Sequence, residues 1–281
     1  MPKNRKIAFK ERKRIKTMQN KNNLESALIK ELYNITVQVK VLINTALKPD
    51  SEFISSLTKK VPDKVGLTLL KAFNKAFEIV FDKGTGIIEK TYDKTELLND
   101  YKVHEYAVNL KGTRKELRKI HKLTEQTNLC SMAVTTAEGL GLGVLGIGIP
   151  DIVLFTAVLL RSAFETASTY GYDYNNPHER MLILKMMEAS CTKGEAFVRI
   201  NKEIDDYMMC NTEPSDNEIK EQLKRTSDVF AMEMLVCKFI QGIPIAGVIG
   251  GLSNPVYYKR ITKYIRLKYY KRYLLNIDKD L

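Results

Sequence analysis

Apolar residues along this chain recur mostly at helical spacing. From Asn23 to Leu47 they fall at Leu24, Leu28, Leu32, Ile35, Val39 and Leu42, three or four residues apart, and Pro49 ends the run. A short amphipathic piece follows at Phe53, Ile54 and Leu57. Pro62 then opens a second helix with Val65, Leu69, Phe73, Phe77 and Phe81 on one face, stopped near Gly84 and Gly86. Residues 98–129 read as a long charged helix or a pair of helices, with Tyr101, Tyr106, Leu110, Leu117, Ile120 and Leu123 marking the inner side. An apolar stretch follows and ends at Tyr170-Gly171, where Gly171 suits a left-handed position just past a helix end. Asn176-Pro177-His178-Glu179 carries start signals: Asn as N-cap, Pro at the first helical position, Glu reciprocating at the third. That helix runs towards Thr192-Lys193-Gly194 and resumes to about Met209. Pro214 breaks the chain, Glu218 to Lys238 is helical, and Val256 to Leu275 closes as a basic, tyrosine-rich helix. Convincing alternating strands are missing, so the expected class is all-α. We expect a single multi-helix domain over residues 23–281, preceded by a flexible or loosely helical arm over residues 1–22.

The segment from Gly139 to Leu160 changes this picture most. Its one charge is Asp151, beside Pro150. Thirteen Leu, Ile, Val or Phe residues would contribute on the order of −4 to −8 kcal/mol to membrane insertion, against roughly +3 for a mid-span Asp. Gly139, Gly141, Gly143, Gly146 and Gly148 each cost about 1 kcal/mol of helix propensity, so a single straight span comes out near zero. A helical hairpin is the preferred reading: a glycine-lined helix up to about Gly148, a turn at Pro150-Asp151, and a return helix from Ile152 to Thr169. Small residues let helix axes approach closely, as at Gly139-x-x-x-Gly143 and, in a second glycine-rich piece over residues 239–252, Gly247-x-x-x-Gly251. The two pieces could pair inside the core or enter one leaflet of a membrane. Gly141-Leu-Gly-Val-Leu-Gly146 matches a nucleotide loop by letter, but no strand precedes it and Gly148 and Pro150 interrupt the helix that should follow.

Charge adds a second theme. The chain has 281 residues and a formal net charge of +12. Residues 1–21 carry nine Lys or Arg against Glu11 alone, residues 255–275 carry seven and no acid, and the body between is slightly acidic. Basic ends of this kind attract polyanions, either an anionic membrane surface or nucleic acid. In the last helix, Tyr257, Tyr258, Ile261, Tyr264 and Ile265 share one side and Lys259, Arg260, Lys263 and Arg266 the other. Lys268 and Arg272 then fall on the apolar side, and Lys271 adds to the charge. Three readings stay open for it: a helix docked on the core, a membrane-surface helix, and a nucleic-acid grip, the last ranking below the membrane.

Catalytic signals are sparse. Three histidines (His104, His121, His178) are the bases available near neutral pH. His178-Glu179 starts a zinc-protease motif, but Leu182 stands where the second ligand belongs, and helix capping accounts for Glu179. His121, among Lys115, Arg118, Lys119 and Lys122, reads as part of a solvated basic face. Asp151 reads as a turn or N-cap residue; an enzyme, for instance a hydrolase, would need it to converge with His178 in a pocket. Cys130, Cys191, Cys210 and Cys237 lack paired spacing and are expected to be buried free thiols in a reducing compartment. No cofactor or metal is expected. The basic N-terminus is not followed by an apolar run, so we expect a cytoplasmic protein, at the inner face of the cell membrane when peripheral.

Several short motifs occur in a particular order. They are Glu138-Gly-Leu-Gly-Leu-Gly143, Ile149-Pro-Asp-Ile152, Tyr170-Gly171-Tyr172-Asp173, Pro177-x-Glu179-Arg180, Gly250-Gly251-x-x-Asn254 and Lys271-Arg272-Tyr-Leu274. Lys60-Val-Pro-Asp-Lys-Val65 precedes them. Together they resemble the EcsC family of bacterial proteins over roughly residues 50–275. The family takes its name from a gene beside those of an ABC transporter, so the resemblance implies a membrane-protein partner of that kind. It implies no reaction and no catalytic residues. The leading expectation is a non-enzymatic helical protein peripherally associated with a membrane.

Overall fold

A computed structural model describes residues 3–48, 63–138, 150–210, 212–240 and 255–279. Ten α-helices occur among them. They are α1 (Lys3–Ala46), α2 (Asp63–Asp82), α3 (Thr85–Ile88, running into a 3-10 turn at Glu89–Thr91), α4 (Lys94–Lys111) and α5 (Arg114–Glu138). The others are α6 (Pro150–Thr169), α7 (Pro177–Cys191), α8 (Gly194–Met208), α9 (Asp216–Ile240) and α10 (Pro255–Lys279). No strand occurs among the described residues, and the class is all-α.

The glycine-rich residues Gly139, Gly141, Gly143, Gly146, Gly148, Gly247, Gly250 and Gly251, together with Asn254, lie outside the described residues. So does the glycine-lined first arm of the expected hairpin. The residues expected to form its return arm lie in the helix α6, which has Pro150 at the first helical position. A helix that is apolar all round belongs in a core, and α6 packs there against α2, α4, α5 and α10. Ile152–Thr169 is long and apolar enough to cross a membrane, yet 89% of it is buried within the helical body. Several of its buried polar side chains are paired. Arg161 Nε bonds Glu165 Oε1 at 3.0 Å, Arg161 Nη2 donates to the Thr91 carbonyl at 2.9 Å, and Thr156, Thr166 and Thr169 donate to carbonyls one turn back.

Helix α1 takes in the basic residues expected to form a flexible or loosely helical arm. It runs from Lys3 to Ala46, so the basic segment forms its opening turns. Its inner row (Leu24, Leu28, Ile35, Val39) is buried as the spacing required. The predicted charged helix divides into α4 and α5 at Gly112, where φ is +58°. A Cβ there would lie 2.5 Å from the Asn20 carbonyl oxygen, so the position both turns the chain and seats α1. Tyr106 and Leu110 prove to be exposed on α4, not inward. They lie about 140° and 180° around the helix from Tyr101, whereas Val108, seven residues on, shares its face and is buried.

Two core helices run in the same direction. At one end the Tyr258 hydroxyl of α10 bonds Ser162 of α6. At the other, Tyr170 after α6 packs on Tyr269, Tyr270 and Tyr273 of α10, with ring centroids 5.7–6.3 Å away. Helix α5 runs opposite to both, with Glu125 beside Arg266 and His121 beside Tyr270. The C-terminus of α5 and the N-termini of α6 and α10 therefore share one end of the bundle. The later turns of α9 lie there too, since Glu233 meets Tyr257 and Arg260.

Candidate functional site

At the opposite end, α6 closes on Gly171, whose φ is +79°. Its N–H reaches the Ser168 carbonyl and that of Tyr172 reaches Ala167, each at 2.9 Å. This paired bonding is a Schellman closure, which needs a left-handed residue. A Cβ at Gly171 would lie 2.6 Å from the Tyr101 ring. The turn releases Tyr172 and Asp173 and leads to α7, whose N-cap Asn176 accepts from the His178 N–H at 2.8 Å.

Glu179 does not serve as the reciprocal cap expected of it. Its carboxylate points into the bundle, where Tyr269 donates a hydroxyl at 2.5 Å and Arg272 Nη1 donates at 2.7 Å. The Arg272 guanidinium also lies 4.0 Å from the centroid of the Tyr172 ring. Burial weakens the hold of Arg272 on its proton, but Glu179 more than offsets this and raises its pKa. Asp173 is drawn upward by burial, yet Lys94 Nζ at 2.9 Å and the Asn175 amide outweigh that and hold it below the usual carboxylate value. The His178 ring stacks 4.3 Å from that of Tyr207, and its Nε2 meets the Tyr207 carbonyl at 3.1 Å. A cleft of about 310 Å³ opens among these groups, lined by Gly171, Tyr172, His178, Glu179, Cys210 and Arg272.

A tyrosine cluster underlies the cleft. Tyr170 is buried, and its hydroxyl meets His121 Nδ1 at 2.9 Å while the His121 ring stacks on Tyr270 at 4.5 Å. Burial, aided by the nearby charge of Arg266, pushes the His121 pKa down to about 4. His121 is half-buried, held between Tyr170 and Tyr270, and not part of a solvated basic face. Leu117, Ile120 and Thr124 around it are buried, while Lys115, Arg118 and Lys122 are exposed.

The six cations expected at a membrane or polyanion surface divide. Lys259 and Lys263 are exposed. Arg260 pairs with Glu233 at 3.1 Å, Arg266 with Glu125 at 3.6 Å, Lys271 with Asp205 at 3.0 Å, and Arg272 with Glu179. The buried Lys268 donates to Asp205 at 2.8 Å and to the Asn201 carbonyl at 3.2 Å. Burial lowers its pKa to about 8, against the opposing pull of Asp205. Glu31 of α1 completes the set: it accepts from Tyr270 at 3.1 Å, from Arg118 at 2.8 Å and from Arg114. Helix α10 is thus a hub to which α1, α5, α7, α8 and α9 each contribute a carboxylate. Sequence reasoning missed Glu31, although its place three residues after Leu28 and four before Ile35 put it on the inner face of α1.

Asp151 and His178 do not converge. Asp151 lies in the first turn of α6 and Gly171, which lines the same cleft as His178, follows the last turn. At 1.5 Å per residue the backbone separation is roughly 28 Å. Of the cysteines, Cys191 is buried, with burial pushing its thiol up to about 11, while Cys210 is exposed at the cleft, contrary to expectation.

Three of the motifs noted in the sequence meet at this end of the molecule: Tyr170 to Asp173, Pro177 to Arg180, and Lys271 to Leu274. They lock the α6–α7 turn to α10 through Glu179, Arg272 and the tyrosine rings. Arg180 joins the lock from the side, with its guanidinium 4.1 Å from the Phe81 ring centroid. The EcsC protein family matches residues 35–274. Protein EcsC of Bacillus subtilis (strain 168) is 22% identical over 209 residues, which cover 71% of this chain and 75% of that protein. No solved structure matches. With that family match spanning most of the helical body, including the α6–α7–α10 lock, the chain belongs to the EcsC family.

Proposed function

We propose that this EcsC-family protein is a non-enzymatic helical protein that associates peripherally with an anionic membrane at the cytoplasmic face. The observation that carries the reading is the common direction of α6 and α10. Residues 139–149 and 241–254, both glycine-rich and apolar in sequence, connect helix ends that gather at one end of the bundle. Exposed Lys259 and Lys263 stand on the opening turns of α10, at that same end. Apolar residues bordered by lysines suit the boundary of an anionic bilayer. The length of α6, roughly 28 Å at 1.5 Å per residue, between Asp151 and the end that carries the His178 cleft, and the engagement of Glu179 and Arg272 with each other, favour a structural role for the motif residues over catalysis.

Flotation tests this reading. At low salt the protein should rise with phosphatidylglycerol-containing vesicles and less with pure phosphatidylcholine. Each Lys near an anionic surface contributes about 1 kcal/mol, so Lys259→Gln with Lys263→Gln should weaken partitioning on the order of thirtyfold. Recovery wholly in the non-floating fraction, with and without residues 1–21, rejects it.

A further inference from the structure

Helix α1 carries two apolar faces. The inner one packs on the body. The outer one is a row at four-residue spacing, formed by Ile29, Tyr33, Val37 and Val41, which are 62%, 68%, 44% and 58% exposed. These positions point away from Leu28, Glu31 and Ile35, where solvent-facing residues are ordinarily polar. The row rises about 18 Å along the helix.

The width of the row distinguishes its occupants. A helix lying in a membrane presents a broad apolar face, with residues three and four apart both contributing. Here the row is one residue wide, and Ser26, Lys30, Thr36 and Lys40 stand beside it. A single four-residue ridge is instead what interdigitates with the same ridge of another helix, the axes crossing near −50°. We propose that this row is a self-association surface, where α1 of one copy crosses α1 of a second about a twofold axis.

Charge agrees with that geometry. Eight of the net positive charges of α1 lie in residues 1–21, whereas the stretch bearing the row holds Glu25, Lys30, buried Glu31 and Lys40 and is nearly neutral. Two copies crossing at the row would bring the neutral stretches together and splay the basic ends apart. A parallel alignment would force those ends side by side. A symmetric interface also needs the same patch on both partners, which a self-complementary ridge supplies. The row offers on the order of 400–500 Å² per copy, below the roughly 800 Å² per partner of a standard interface, so the dimer should be weak and concentration-dependent. This surface lies on the flank of the bundle and does not depend on membrane contact.

Sedimentation velocity of the full chain over a concentration series, without lipid, tests it. A monomer–dimer equilibrium is expected, abolished by Tyr33→Glu with Val37→Asp and retained by Val103→Ser with Tyr106→Ser, which alters exposed apolar residues of α4. Helical circular dichroism should be unchanged in both variants, because all four positions are exposed. A protein that stays monomeric throughout overturns the proposal, as does a dimer that survives the α1 changes.

Discussion

Buried charges in this protein are not equivalent, and their partners decide what each is worth. Removing Glu179 leaves the Arg272 guanidinium and the Tyr269 hydroxyl without their acceptor inside the bundle. Glu179→Leu should therefore cost about 3–5 kcal/mol, read as a loss in urea midpoint. Lys268 is the contrasting case. Asp205 keeps Lys271 at 3.0 Å if Lys268 is replaced, and an apolar side chain escapes the desolvation that lowers the Lys268 pKa. Lys268→Met should change stability by less than about 1 kcal/mol, in either direction, although the residue is fully buried. Neither result could be foreseen from local sequence. Lys268 and Arg272 break the pattern of the helical wheel, which marks them as unusual, but Asp205 and Glu179 lie more than 60 residues away and nothing in the spacing pairs them.

The helices themselves were largely legible. Phe73, Phe77 and Phe81 define one face of α2, and Asn176-Pro177 starts α7 where the capping signal placed it. Because Asn176 holds the first turn of α7 under the cleft, Asn176→Ala should lower the melting free energy by about 1 kcal/mol, measurable by calorimetry. Helix α10 is where composition misleads. Tyrosines alternating with Lys and Arg describe a surface helix and a core helix with satisfied charges equally well. The choice falls to the core because five neighbouring helices supply carboxylates, a fact of tertiary arrangement. Helix α4 shows the opposite failure, since Tyr106 and Leu110 are apolar residues that the fold leaves outside.

At the scale of the whole molecule, the desolvation of the half-buried His121 couples folding to pH. With its native pKa depressed to about 4 from an ordinary 6.5, the unfolded chain binds a proton in that interval and the folded chain does not. Stability is thus full above pH 6.5 and declines as the pH falls towards 4. The loss attributable to His121 between pH 7 and pH 5 is about 2 kcal/mol. Urea titrations at those two values should show that difference shrink in His121→Gln; an unchanged difference would place the proton uptake elsewhere. The hub at α10 has a further consequence, for the order in which the chain can assemble. Glu31 finds its hydroxyl donor 239 residues later, at Tyr270, and the parallel mate of α6 is the last described helix. Contacts this distant in sequence are slow to form, whereas helical proteins owe their usual speed to local ones. During synthesis Glu179, Asp205 and Glu233 stay without their α10 partners until that helix has left the ribosome, whereas Glu31 can already meet Arg114 and Arg118. Folding should therefore complete in one late step and not grow helix by helix from the N-terminus.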